Sequence, residues 1–288
     1  MGVRVRGIVL GVLAAAALAG CGTNPVTGRS QLLMVGEQEE QRMGLQAFRD
    51  TLSKKTLSND PEQNERVRRI GRRIALASGR SDFQWEFRVI LDKEINAFCL
   101  PGGKVGVHTG LLDFVRSDDE LAAVIGHEVA HATARHGAER MSQNMAAGVG
   151  VAVLGAVVAA RTQNSIGGDL AVGLLGAGAT VGVLMPFSRL HESEADHMGL
   201  IYMAAAGYDP NAAVSLWSRM AEKNQGKKGP EFLSTHPSDE TRVAEIQAKI
   251  PEAMRHFRPI SAGDPIPVTA SPNPAAAGAP VGKGGDAE

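Results

Sequence analysis

Over much of the chain, apolar residues recur every three or four positions, and those stretches are predicted to be helices. Met43, Leu45, Phe48 and Leu52 set that interval within Gly36–Lys55, and Val67, Ile70, Ile74 and Leu76 set it within Pro61–Ser78. Asp60 can cap the second helix, Pro61 fits its first turn and Gly79 can end it. Between Gln84 and Asp92 the interval drops to two. Trp85, Phe87, Val89 and Leu91 alternate with Glu86, Arg88 and Ile90, as in a strand with one buried face. Ala97–Leu100 and Lys104–His108 flank Pro101-Gly102-Gly103, a hairpin signal. A small antiparallel sheet is therefore expected just before the next helix, with Leu111–Phe114 leading into it.

That helix is Ser117–Gly137, SDDELAAVIGHEVAHATARHG. Ser117 and Glu120 form a capping box. Asp118, Asp119 and Glu120 suit the positive end of the helix dipole, and Gly137 is the natural stop. Two runs of Ala, Gly, Val and Leu follow, Met145–Ala160 and Leu170–Phe187, broken by Arg161–Asp169. Each is short for a bilayer, so they are read as buried or surface-docked helices in preference to membrane spans. Ser188–Ala206 is a further helix, ended by Gly207. Asp209-Pro210 starts another, which runs through Glu222, and Asn224–Gly229 is a polar loop. Phe232–His236 precedes a last amphipathic helix, about Ser238–Ile250, stopped by Pro251. From Ser261 the chain is Pro, Ala, Gly and Ser, too poor in apolar residues to order itself.

Composition changes this picture at the ends. The 288 residues carry 30 Lys+Arg against 31 Asp+Glu, a formal net charge of −1, and no basic patch points to nucleic acid. Arg4 and Arg6 precede an apolar run of small residues, Gly7–Gly20, and then Cys21. That is the form of a secretory signal. Leu18-Ala19-Gly20-Cys21 looks like a bacterial lipobox, with Cys21 as the acylated residue. Cys99 would then be the only free thiol, so no intrachain disulfide is expected. The expected organisation is a signal peptide over 1–20, a lipid-anchored tether over 21–35, one domain over 36–258, and a disordered tail over 259–288.

The candidate chemistry sits in His127-Glu128-Val129-Ala130-His131. Residues four apart share a helix face, so both imidazoles can bind one zinc ion. Glu128 can lie beside the metal and take a proton from a water without being a ligand. A catalytic zinc usually has a third protein ligand. Glu192 is the best candidate and Glu194 an alternative that reads as solvated or salt-bridged. Asp196, one turn beyond Glu192, can accept the second ring N–H of a ligand histidine. His136, His191 and His197 lie near these motifs and read as bystanders. His108 and His256 have no argued role.

His127–His131 together with Glu192-Ser193-Glu194-Ala195-Asp196 resembles the HtpX-like zinc endopeptidases, metallopeptidase family forty-eight. Asn96-Ala97-Phe98-Cys99-Leu100-Pro101-Gly102-Gly103 is similar to the family's "NAFALPGG" hairpin, with Cys99 in a small-residue position. Leu233-Ser234-Thr235-His236-Pro237 is similar to its "STHP" segment. Asn24-Pro25-Val26-Thr27-Gly28 resembles the start of lipoprotein members of the BepA and LoiP kind.

The resemblance implies an α+β fold, a mainly helical zincin-type domain with the small antiparallel sheet beside the His-Glu helix. It implies one zinc per chain on His127, His131 and Glu192, with Glu128 as general base and Asp196 as a supporting or proton-donating residue. His236 either stabilises the oxyanion or blocks the zinc, as the corresponding residue is thought to do in BepA-like relatives. The implied function is hydrolysis of unfolded or misassembled cell-envelope proteins. The alternative is a chaperone-like lipoprotein with a silenced zinc site. Read from its own pattern, the strand of Lys104, Val105, Gly106 and Val107 is either a purely structural half of the hairpin or an edge that accepts extended substrate as an added strand. Gly22, which is not Asp, favours outer-membrane sorting by resemblance to Gram-negative lipoproteins. The helical-repeat domain of BepA-like members is not expected here, nor are partners bound through one.

Overall fold

The computed structural model describes residues 21–24, 26–162, 187–224, 230–236 and 241–259, with backbone alone for Cys21, for 150–162 and for Asn224. The expected signal peptide and tail, the polar loop 225–229 and most of the second Ala/Gly run lie outside the described residues.

Two short strands open the described chain, β1 (Cys21–Thr23) and β2 (Ser30–Leu32), paired antiparallel. The stretch 21–35, expected as a lipid-anchored tether, is docked on the domain as a strap. Asn24 and Gln31 are buried, and the Gln31 amide donates to Ala134 O and to Glu139. Helices α1 (Glu37–Ser53) and α2 (Pro61–Ala77) follow as the apolar spacing predicts. Asp60 accepts from the backbone N–H groups of Glu62 and Gln63 at the start of α2.

Strands β3 (Glu86–Ile90), β4 (Ala97–Leu100) and β5 (Lys104–His108) form one sheet in the order β3-β5-β4. The β4–β5 hairpin is antiparallel, with Gly102 and Gly103 both at positive φ in its turn. The β3–β5 pair is parallel, so the sheet is mixed where a wholly antiparallel one was expected. Strand β5 fills the slot between its neighbours because every one of its residues is buried, so it needs cover on both edges and both faces.

A short helix, α3 (Thr109–Phe114), leads to α4 (Asp118–Thr133), which is buried from Glu120 to its end. Ser117 Oγ accepts from the Glu120 N–H, and the Glu120 carboxylate reaches back to Arg116 N. Gly137 does not end this helix. Arg135 takes the left-handed turn (φ 57°), held there by hydrogen bonds from its guanidinium to Glu40 and to Val35 O. Helix α5 (His136–Thr162) then takes in the first Ala/Gly-rich run. No described helix is long and apolar enough to cross a membrane.

Helix α6 (Arg189–Ala205) packs more extensively on α4 than any other pair of elements meets. The crossing is set by two glycines. A Cβ on Gly126 would lie 2.8 Å from Gly199 O, and one on Gly199 would lie 2.8 Å from His127 N. The two backbones therefore touch, immediately beside the His-Glu motif. Helices α7 (Asn211–Asn224) and α8 (Phe232–Thr235) and the final α9 (Arg242–Met254) close the core around Leu121, Ile125, Met198, Met203, Leu216 and Phe232. Pro251 does not stop α9. Its fixed φ suits a helix, only one ladder bond is lost near the end, and Ala253 beyond it is buried in the core. The result is mainly helical α+β.

Candidate metal centre

His127 and His131 leave one face of α4 a turn apart, and both are nearly fully buried. The glycine crossing brings the first turn of α6 against that face. Glu192 and Asp196, four apart on α6, both arrive there. His236 caps the C-terminal end of α8, its ring stacked on Phe232 at a centroid distance of 4.2 Å.

Four donor atoms converge. His127 Nε2 is 3.1 Å from His131 Nε2, 3.3 Å from His236 Nδ1 and 3.4 Å from Glu192 Oε2. Glu192 Oε1 is 3.3 Å from His131 Nε2 and 3.1 Å from His236 Nδ1. Tetrahedral zinc with bonds of about 2.0–2.1 Å places its ligands roughly 3.3–3.4 Å apart. The observed separations fit that figure. Three imidazoles and one carboxylate, all buried within 4.8 Å of one another, form a donor set suited to a divalent cation. Glu192 Oε2 has no aligned hydrogen-bond donor, although Arg242 Nη1 stands 3.0 Å away. A buried carboxylate that faces three imidazoles, with one oxygen lacking an aligned donor, has the donor chemistry that suits a divalent cation.

The electrostatics agree. Burial pushes His127 down, yet Asp196 and Glu192 more than reverse this and lift it to about 9. Burial likewise works against a charged Glu192, but hydrogen bonds from His127, His131 and His236 hold its carboxyl far below the usual range. Burial pushes His131 the other way and keeps it neutral, so the nest pairs a carboxylate held ionised with a neutral imidazole, a donor set suited to a divalent cation.

Glu128 lies on the neighbouring face, buried, with His236 Nε2 at 3.3 Å. Burial pushes its carboxyl up. Between α4 and β4 opens a cavity of about 290 Å³ that reaches Glu128, His131 and His236 and is otherwise lined largely by apolar groups such as Met43, Phe98 and Met141. Strand β4, at the end of the sheet, runs along it. Lys104, Val105, Gly106 and Val107 do not form the accessible edge expected of them. They lie on the central strand with β3 on one side and β4 on the other, and they are buried. The strand at the cleft is Ala97–Leu100.

Each candidate ligand histidine of α4 has its own support. Asp196 Oδ1 lies 2.9 Å from His127 Nδ1, and Arg242 grips Asp196 with two bonds of 2.9 Å. The Arg242 guanidinium also lies 3.8 Å above the Trp217 ring. His131 is supported differently. Its Nδ1 lies 3.0 Å from His136 Nδ1, whose Nε2 lies 3.2 Å from Glu194. Glu194 is buried and salt-bridged to Arg29, so it is not solvated. His136, taken above as a bystander, thus touches a candidate ligand. His191, another presumed bystander, pairs with Glu139 at 3.2 Å. His197 pairs with Glu252 near the surface and stays apart from the nest.

A family model described as Peptidase family M48 matches residues 61–250. The chain is 40% identical over 234 residues to the mitochondrial metalloendopeptidase OMA1 of Schizosaccharomyces pombe, covering 80% of this chain and 66% of that protein. It is 38% identical over 191 residues to the mitochondrial metalloendopeptidase OMA1 of Arabidopsis thaliana, covering 66% of this chain and 37% of that one. It is 29% identical over 246 residues to the beta-barrel assembly-enhancing protease of Escherichia coli, covering 84% of this chain and 50% of that one. The chain therefore spans from 37% to 66% of the length of these curated relatives.

Proposed function

The chain belongs to peptidase family M48 and carries a metalloendopeptidase domain, and from that premise we propose that it is a zinc enzyme that cleaves unfolded or misassembled cell-envelope proteins. The observation that carries this reading is the buried nest of His127, His131, Glu192 and His236 with the Glu128 carboxylate beside it.

In this reading His127, His131 and Glu192 hold one zinc ion. When bound, zinc acidifies a water and polarises the scissile carbonyl. Glu128 takes the proton from the attacking water, and burial, which raises its carboxyl, makes it a stronger base than an exposed glutamate. It then hands that proton to the leaving amine. Asp196 receives the His127 Nδ1–H and keeps the Nε2 lone pair turned toward the ion. Pinned between His127 and Arg242, Asp196 supports rather than donates protons.

His236 Nδ1 occupies the fourth corner of the nest, so the arrangement supports the blocking role over oxyanion stabilisation. Substrate displaces it to open that position. An extended peptide adds to the outer edge of β4, which no described strand covers and where the cleft lies, and its backbone supplies the pairing. That mode reads main chain more than sequence and suits unfolded proteins. The lipobox-like Cys21 anchors the chain to the outer membrane, facing the periplasm. The relative named a beta-barrel assembly-enhancing protease favours such an envelope role, while the relatives named mitochondrial metalloendopeptidases show that the domain also serves elsewhere.

The test uses an unfolded outer-membrane protein with the chain and its Glu128→Gln variant, with and without chelator. The wild type is expected to cleave it, the chelated enzyme to stop, and Glu128→Gln to bind zinc yet lose about 10²- to 10⁴-fold in rate. A Glu128→Gln variant that protects envelope proteins as well as the wild type would favour the chaperone-like alternative.

A further inference from the structure

The N-terminal strap reaches the metal site through an unbroken chain of polar contacts. Arg29 uses all five of its N–H donors. Its Nε and Nη2 bond Glu194 at 3.0 and 2.7 Å. Nη1 and Nη2 each bond Glu139 at 2.7 Å, and Nη1 also bonds Ser30 O at 3.2 Å. Thr27 Oγ1 donates to Glu194 at 2.6 Å. From Glu194 the contacts run to His136 Nε2 and from His136 Nδ1 to His131 Nδ1. Glu194, His136 and His131 are buried, so no solvent competes along this path.

The direction of the hydrogens follows from the acceptor at its end. A carboxylate can only accept, so His136 carries a proton on Nε2 and leaves its Nδ1 lone pair toward His131. His131 must then donate from Nδ1, which frees its Nε2 lone pair for the nest. The opposite order would set the His136 Nε2 lone pair against the Glu194 carboxylate and place the His131 proton on the nitrogen that faces the metal. This ordering holds only while Glu194 stays put as an acceptor.

We propose that Arg29, helped by Thr27, is a positioning residue for the metal: it fixes Glu194, which through His136 locks His131 in the tautomer that binds. The proposal rests on the metal reading given above. It gives the strap, which lies outside the family-matched residues 61–250, a part in building the site. Ligand histidines are commonly oriented by a carboxylate directly. Here the carboxylate acts through a second imidazole.

The experiment measures zinc affinity of the full chain by competition with a chromophoric chelator, alongside long-range ¹⁵N–¹H spectra of the imidazoles in the zinc-loaded protein. Arg29→Ala and Glu194→Gln are each expected to weaken zinc binding about ten- to hundredfold. The double variant should be no weaker than Glu194→Gln alone, since both act on one path. Arg29→Lys should recover part of the loss, because an ammonium reaches one carboxylate but lacks the fork. The wild-type spectra should place the proton on His136 Nε2 and His131 Nδ1, and Arg29→Ala should lose that order. Arg219→Ala breaks a bidentate pair with Glu120 that is not on this path, so it should leave zinc affinity within about twofold.

If Arg29→Ala does not fold, Thr27→Val removes a single hydroxyl donor and should weaken zinc binding about threefold. Wild-type chain that takes up no zinc would sink the metal reading itself. Wild-type uptake with Arg29→Ala, Glu194→Gln and Thr27→Val all unchanged would overturn the relay alone. So would an equal loss in Arg219→Ala.

Discussion

His127 and His131 stand one turn apart on the same helix, and their outer nitrogens are held in opposite ways. His127 meets a carboxylate directly, and that carboxylate is clamped by Arg242, itself buried. His131 meets another imidazole, and its carboxylate lies one step further out, clamped by Arg29, whose side chain is 23% exposed. The inner support also neutralises Glu192, because Arg242 Nη1 lies 3.0 Å from that ligand. Each arginine faces two buried carboxylates, Arg242 with Asp196 and Glu192 and Arg29 with Glu194 and Glu139, but only Arg242 touches a candidate ligand itself. Both supports balance buried charge; the difference is reach, since the inner one sets the charge at a candidate ligand and the outer one meets the nest only through the orientation of His131. The arginines come from opposite ends of the described chain, so both ends must be docked before the site is complete.

The comparison breaks most sharply at Arg242. Arg242→Ala strands Asp196 and Glu192, and a loss of about 3–5 kcal/mol is expected in the urea midpoint of the metal-free chain. A milder cut at the same support is Asp196→Asn, which keeps the shape and removes the charge. Zinc affinity should fall about ten- to hundredfold with little change in midpoint. Gly199→Ala acts on both supports at once, by forcing apart two backbones that touch beside His127. A cost of about 1–3 kcal/mol is expected from overpacking, together with weaker zinc binding. Should zinc affinity survive that substitution, the glycine contact is not what sets the site.

The smallest effect gives the baseline. Glu120, at the far end of α4, meets Arg219 through two bonds of 2.7 Å, remote from both imidazoles. Burial raises the Glu120 carboxyl, but Arg219 and the Arg116 N–H lower it further, so its folded pKa lies below the ordinary value. A depressed carboxylate adds stability above its unfolded pKa, near ~4.3, and loses it as pH falls through the folded value. Arg219→Ala should cost about 1 kcal/mol at neutral pH. The gap to wild type should close in acid, as read from urea midpoints across a pH series.

Much of this was legible in the residues. The two-His spacing and the shared face of Glu192 and Asp196 follow from helical geometry, while the choice of Glu192 over Glu194 rests on the resemblance to the zinc endopeptidases; the structure brings His127, His131 and Glu192 to one point, with Asp196 behind His127. What the spacing could not show was pairing between distant segments. The order β3-β5-β4 depends on which strand most needs cover, and alternation along one strand does not say which neighbours it takes. That is why Lys104–Val107 read as an edge. Arg242 did leave a trace. It stands four and eight residues before Ile246 and Ile250, on the buried stripe of α9, where a lone arginine needs a buried acid. Gly126 and Gly199 left another, as single glycines inside apolar helices. His136 left none, because it lies beyond the Arg135 turn, where helical periodicity with His131 is broken.

Zinc content and coordination of the purified full chain, read together by elemental analysis and X-ray absorption, bear most directly on the nest. One zinc per chain is expected, in a shell of nitrogen and oxygen at about 2.0–2.1 Å, with one imidazole fewer in His236→Ala. A chain that holds no zinc, or holds it with no loss on replacing His127 or Glu192, would contradict the assignment.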